Sequence, residues 1–271
     1  MEYEFEHAEP VTVALRATNG SVRIDAGRTG TVRVEVTALD GSAAAREAAE
    51  NTRVLLEGDT LVVAAPQVER WRWRRGPALR LTIEVPEGST LTGESAAADV
   101  HATGRYRDVH LKAASADIGV TDVLGDVHLT AASGNLSLER AGGAAALKSA
   151  SGKLRIGDVT GDVIASTSSG DISLGSGGGS LEAGTASGDI VVGSLSRGRA
   201  RIRTASGDVT VGVAPGTGVW LDVTTASGDS SIDLAAQDGI SPVADGPGLE
   251  VRVRTASGDV RIHRATDRVI A

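Results

Sequence analysis

One interval constrains this chain more than any other feature. Asp99, Asp117, Asn135, Lys153, Asp171 and Asp189 stand 18 residues apart without exception, and Asp208, Asp229 and Asp259 follow at 19, 21 and 30. Most sit in near-copies of one hexamer, written Thr204-Ala-Ser-Gly-Asp-Val209 and again Thr255-Ala-Ser-Gly-Asp-Val260. A repeat of fixed period marks a stacked architecture, in which each unit is too small to bury its own apolar face and must lie on a neighbour.

Within each unit the apolar residues alternate with period two. Val109/Leu111, Val127/Leu129, Ala145/Leu147, Val163/Ala165 and Leu181/Ala183 precede the marker, and Ile118/Val120, Leu136/Leu138, Leu154/Ile156 and Ile172/Leu174 follow it. Alternation of this kind belongs to a strand with one buried face, whereas a helix would need spacings of three and four. A weaker corner at Asp108, Asp126 and Asp162 lies nine residues from the main one. The reading is an all-β fold, a parallel β-solenoid (β-helix) of about 18-residue coils with two principal faces.

The hexamer is then the chemistry of a corner. Gly adopts positive φ without steric cost, and Ser and Asp bond turn amides through their side-chain oxygens. A calcium-binding β-roll would instead write two or more glycines per turn at nine-residue spacing, and here each corner has one.

Residues 1–90 read as a β-rich capping region continuous with the solenoid, and residues 91–271 as the repeats themselves, with a Pro/Gly-rich loop inserted at 237–248. The first coil begins near Val11, with its corner at Asn19-Gly-Ser-Val22. Ser42-Ala-Ala-Ala-Arg-Glu-Ala-Ala-Glu-Asn51 predicts one short helix, N-capped by Ser42, that closes an end of the stack. Seven residues before the marker, Glu182, Arg201, Asp222 and Arg252 alternate in sign, which predicts ion pairs between successive coils.

Composition narrows the function. A net charge of −8 argues against nucleic acid as a partner, which would need a basic footprint. The absence of cysteine removes disulfides and thiolate metal sites. No apolar run is long enough to span a membrane, and the acidic start MEYEFEHAEP lacks the features of a secretory leader, so the chain as written reads as cytoplasmic, or extracellular if a leader has been removed.

Two stretches are candidates for binding. Trp71, Arg72, Trp73, Arg74 and Arg75 form an amphipathic segment suited to a protein partner, an anionic lipid surface or a glycan. The same tryptophans would equally serve to cover an apolar end of the stack. His110 and His128 lie 18 apart with Asp108 and Asp126 two residues before each, so the four could form a small polar patch of ligand types that suit a divalent metal, or simply a solvated face. No nucleophile, base and orienting acid recur at a common offset, and no phosphate loop is present. The chain therefore reads as non-enzymatic, with no cofactor, and as a scaffold that binds a protein partner or self-associates by end-to-end stacking. The alternative is a carbohydrate-binding or carbohydrate-active β-helix.

The alternating strands at the start, the Ile83-Glu-Val-Pro-Glu-Gly-Ser-Thr-Leu91 segment and the repeated Ser-Gly-Asp-Ile/Val corners together resemble the bacterial putative-adhesin family, a β-strand-repeat domain of unknown function. The resemblance covers nearly the whole chain. It implies a β-solenoid, no established enzymatic activity and, for some relatives, an accessory role beside envelope-stress regulators.

Overall fold

The computed structural model describes residues 1–27, 30–66, 76–234 and 248–265. Residues 67–75, with all five members of the Trp/Arg segment, and nearly all of the 237–248 loop lie outside the described residues. The described chain holds one helix and 23 strands, and it divides into two compact units, 1–138 and 139–271.

The first unit contains β1 (Glu2–Glu6), β2 (Thr12–Gly27), β3 (Thr31–Ala38), α1 (Ala43–Glu50), β4 (Arg53–Glu57), β5 (Thr60–Ala64), β6 (Leu79–Pro86), β7 (Thr90–Tyr106), β8 (Val109–Ser115), β9 (Ile118–Val123) and β10 (Val127–Ser133). The long strands β2 and β7 each bend through a corner and so contribute to two walls. On one wall, β5, the first half of β2, the first half of β7, β8 and β10 run parallel, with β4 antiparallel at the margin. On the other, β6, the second half of β2, the second half of β7 and β9 run parallel, and β3 and β1 add antiparallel. The expected first coil is therefore an interior layer: β2 is threaded between the 60–86 and 90–104 segments.

The helix forms where Ser42 predicts it. Its Oγ accepts the Ala45 N–H at 3.0 Å, satisfying one of the unpaired amides of the first turn. Ala45, Ala48 and Ala49 are buried, and α1 lies against β3 and β6. Small side chains on that face let the helix seat closely over β3 and β6.

β11 (Leu136–Ala141) spans the division. The second unit contains β12 (Ala145–Ser151), β13 (Leu154–Val159), β14 (Val163–Ser169), β15 (Ile172–Gly177), β16 (Leu181–Ser187), β17 (Ile190–Leu195), β18 (Gly198–Ser206), β19 (Val209–Val213), β20 (Val219–Ser227), β21 (Ser230–Asp233), β22 (Leu249–Ser257) and β23 (Val260–Arg264). Every pairing among these strands is parallel. One wall runs β12, β14, β16, β18, β22, β20 and the other β13, β15, β17, β19, β23, β21.

This order corrects the expectation that coils stack in sequence order. The last coil, 249–264, is inserted between 198–213 and 219–233, so Arg201 lies beside Arg252 and the charge column does not alternate throughout. Ion pairs still form where opposite charges meet: Arg252 Nε lies 2.9 Å from Asp222 Oδ2, and Arg199 Nε 2.7 Å from Glu250 Oε2. Both pairs are partly exposed, so solvent screening keeps their contribution small.

The core is narrow and aliphatic. On one wall the inward column reads Ala145, Val163, Leu181, Ala200, Val251, Leu221, and beside it Leu147, Ala165, Ala183, Ile202, Val253, Val223. A large residue in one column accompanies a small one in the other through most layers, which holds the interior volume nearly constant. The sole buried aromatic among the described residues is Tyr106, fully enclosed in the first unit, with its hydroxyl donating to the Ile24 carbonyl at 3.0 Å.

Candidate interaction surface

The repeated hexamer resolves into a hydrogen-bonded corner. In Thr185-Ala-Ser-Gly-Asp-Ile190 the Thr and Ile are buried, Ala and Ser face solvent, and Gly188 has φ 145°. A methyl group on Gly188 would overlap the Gly170 carbonyl of the layer beneath, so both the φ and the close approach require Gly. The buried Thr185 hydroxyl donates to that same carbonyl at 3.2 Å, and Thr204 and Thr225 repeat the bond to Gly188 and Gly258.

The aspartates bond from layer to layer. In the first unit Asp99 Oδ1 accepts the Asp117 N–H at 3.0 Å and Asp117 Oδ1 the Asn135 N–H at 2.7 Å. In the second, Asp171, Asp189, Asp208 and Asp259 accept from Asp189, Asp208, Asp259 and Asp229 at 3.2, 2.9, 2.8 and 2.9 Å. Each charge-assisted bond offsets the repulsion of stacking carboxylates about 4.8 Å apart. Lys153 relieves it further: its Nζ lies 2.9 Å from Asp171 Oδ2 and, with the Asp189 amide, holds that carboxyl below the usual aspartate range.

The weaker corner works the same way, and this decides the geometry around the histidines. Asp108 Oδ1 accepts the Asp126 N–H at 3.0 Å, while its Oδ2 lies 3.4 Å from Arg107 Nε. His110 and His128 are register partners on β8 and β10, with ring centroids 5.4 Å apart and planes inclined by 16°. The structure thus brings the two imidazoles into a stack and places Asp108 in the turn ladder. Among the described residues no group of three or more His, Asp, Glu or Cys side chains is arranged to hold a metal.

A feature that sequence reasoning missed lies on the outward face of β4, β5, β2, β7 and β8. Register puts Arg53 opposite Ala64, Ala64 opposite Arg16, Arg16 opposite Glu94 and Glu94 opposite Lys112. These residues, with His110 and Thr92, border an open trough of about 580 Å³ whose floor is made by Ala14, Val62, Ala64 and Gly93. The floor is low because those side chains are small; a methyl group on Gly93 would collide with the Leu15 backbone. In a chain of net charge −8, three basic side chains around one carboxylate make this a local positive patch. The residues come from widely separated stretches, and only the threading of β2 between β5 and β7 assembles them.

The family model for Toastrack DUF4097 matches residues 12–263, which contain every parallel layer just described. The chain belongs to the Toastrack DUF4097 family. The chain is similar to solved structures of low sequence identity. A putative adhesin from Bacteroides fragilis is 15% identical with a TM-score of 0.50, and the alignment covers 97% of this chain and 96% of that one. A putative adhesin from Parabacteroides distasonis is 11% identical with a TM-score of 0.36, covering 96% of each chain. A putative lipid binding protein from the same species is 10% identical with a TM-score of 0.38, again covering 96% of each. No curated protein matches the chain. The Bacteroides fragilis structure supports the fold of this Toastrack chain at the level of architecture. No helix among the described residues is long and apolar enough to cross a membrane.

Proposed function

We propose that this Toastrack protein is a non-catalytic, adhesin-like interaction scaffold and that the trough bordered by Arg16, Arg53 and Lys112 is its binding face. The observation that carries the reading is the fate of the corner side chains. Among the described residues the hydroxyls of Thr167, Thr185, Thr204 and Thr225 and the carboxylates of Asp171, Asp189, Asp208 and Asp259 are engaged in coil-to-coil hydrogen bonds, and the Thr255 hydroxyl is buried in the same column out of reach of a ligand. Among the described residues the outward surface of the walls is what these bonds leave free for a ligand.

The trough favours an anionic partner, because its rim carries Arg16, Arg53 and Lys112 against Glu94; among the described residues Arg53 also lies 3.7 Å from Glu57. Within the carbohydrate-binding alternative this selects acidic polysaccharides, bearing uronate or sulfate groups, over neutral ones. A role beside envelope-stress regulators is consistent with such a ligand at a cell surface. The test is binding of the purified chain to matched acidic and neutral polysaccharides, with a reducing-sugar assay on the same mixtures. Salt-sensitive binding of the acidic set, lost in Arg16→Ala/Lys112→Ala and without release of reducing ends, is expected. Binding indifferent to the double substitution would remove the trough, and release of reducing ends would make the protein an enzyme.

A further inference from the structure

Among the described residues the coil 219–233 is paired on one side. β20 bonds to β22 and β21 to β23, and among the described residues no strand lies on the opposite edge of either. Inward side chains that are closed elsewhere are open here. Val251, Val253 and Ile262 are fully buried, whereas their register partners Leu221 and Val223 are half-buried and Ile232 is 51% exposed. Trp220, on the outer face of the same coil, is 55% exposed, with the Arg252 guanidinium 5.8 Å from its ring.

Proteins normally guard such an edge with Lys, Pro, a bulge or a covering element. The strands β20 and β21 contain no Lys, Arg or Pro, and the Asp222 carboxylate is turned to its own chain's Arg252 at 2.9 Å. The first unit treats its end differently: the helix covers β3 and β6, the margin strand β1 carries Glu2, Glu4 and Glu6, and the inward residues Leu61, Val63, Leu81 and Ile83 are at most 1% exposed. An apolar end needs an apolar end to cover it. In this chain the described residues supply one such surface, so the complement is the same surface on another molecule.

We propose that β20 and β21 form a docking edge for a second copy of this chain, paired antiparallel about a two-fold axis that passes through Val223. Val223 is the middle residue of the nine in β20, so this register uses the whole strand. It places Val223 against its own counterpart, Leu221 against Thr225, Asp222 against Thr224 and Trp220 against Ala226, with no carboxylate directly opposite another. A register centred on Asp222 would set that carboxylate against itself. The contact is isologous, and a two-fold contact of this kind closes at two chains. Main-chain hydrogen bonds supply the affinity, as in other strand additions, and the Val223 column becomes continuous across the junction. The inference deepens the scaffold reading by naming one partner, a second copy, and it is independent of the trough.

The chain has no cysteine, which permits a direct test. Directly opposed residues of an antiparallel pair have Cα atoms about 4.5–5.5 Å apart, within disulfide range. Val223→Cys is expected to form a covalent dimer on mild oxidation, while Thr130→Cys, exposed on β10, stays monomeric. In parallel, light scattering of the unmodified chain at about 100 µM, well above a micromolar Kd, should give twice the 27.5 kDa chain mass. Val223→Lys/Ile232→Lys should return it to one chain mass with the circular dichroism of the parent. A monomer in all forms, a dimer unaffected by the lysines, or a mass that grows without limit would overturn the two-fold edge. Each of those outcomes leaves polysaccharide binding by the trough to be judged by its own assay.

Discussion

The backbone N–H of Asp259 donates to Asp208 Oδ1 at 2.8 Å, although 51 residues of chain separate them. Asp229, which lies between the two in sequence, bonds instead to the far side of Asp259. The final coil is therefore an interior layer, and the coil made before it depends on it for support. Removing residues 248–271 should strip protection from 219–233 as well as from the deleted part. Hydrogen exchange on the truncated chain checks this, with 145–195 retaining its protection; a protected 219–233 would mean that β20 can dock directly on β18.

The carboxylate ladder predicts a difference between isosteres. Asp208→Ala removes the acceptor for the Asp259 amide and should cost about 1 kcal/mol, a Tm drop of about 2–4 °C. Asp208→Asn keeps an acceptor oxygen and should recover most of it. Thermal unfolding of the three proteins at one pH decides whether the bond or the charge matters.

The corner glycines should be among the least tolerant positions. Gly207 has φ 143°, and a methyl group there would overlap the Gly188 carbonyl. Gly207→Ala should therefore destabilise by well over about 1 kcal/mol, since both strain and a backbone shift are required. Gly41→Ala meets nothing within 4 Å and should stay within about 0.5 kcal/mol of the parent. Denaturant midpoints of the two variants provide the comparison.

Tyr106 gives a prediction in pH. Burial, reinforced by the Asp25 charge, raises its hydroxyl far above the reference value of 10.0. The folded state thus favours the neutral phenol. That contribution is fully present below the unfolded value and is lost as pH rises above it toward the folded one. Stability should fall with a steep slope above about pH 10, near the ordinary tyrosine value. Tyr106→Phe should flatten that slope while costing about 0.5–1.5 kcal/mol at neutral pH through loss of the bond to Ile24. Urea unfolding between neutral and alkaline pH reads both effects.

Much of this was legible in the residues. Period-two alternation named the strands, the 18-residue interval named the coil, and Ser42 named the helix start, because each depends on chemistry local to a few residues. The His110/His128 stack followed from their spacing, since register partners in a parallel stack are one period apart. The trough was not legible: Arg16, Arg53, Glu94 and Lys112 share no period and meet only through pairing of distant strands.

The sequence by itself determined the unit: a two-walled coil with a Gly-Asp corner, an aliphatic interior and a helix near one end. The tertiary structure alone decided the order of the layers, and the reason is physical. Identical corners bond equally well to any neighbour, so the hexamer cannot say which coil lies on which. The choice falls to the interior, where Val260 and Ile262 of the final coil are buried between two layers while Ser230 holds the equivalent inward position in the exposed one. A hydroxyl is tolerated in a chain's last layer, which has one neighbouring layer of its own, and would be costly between two layers of the same chain, and that preference acts only once the whole unit has assembled.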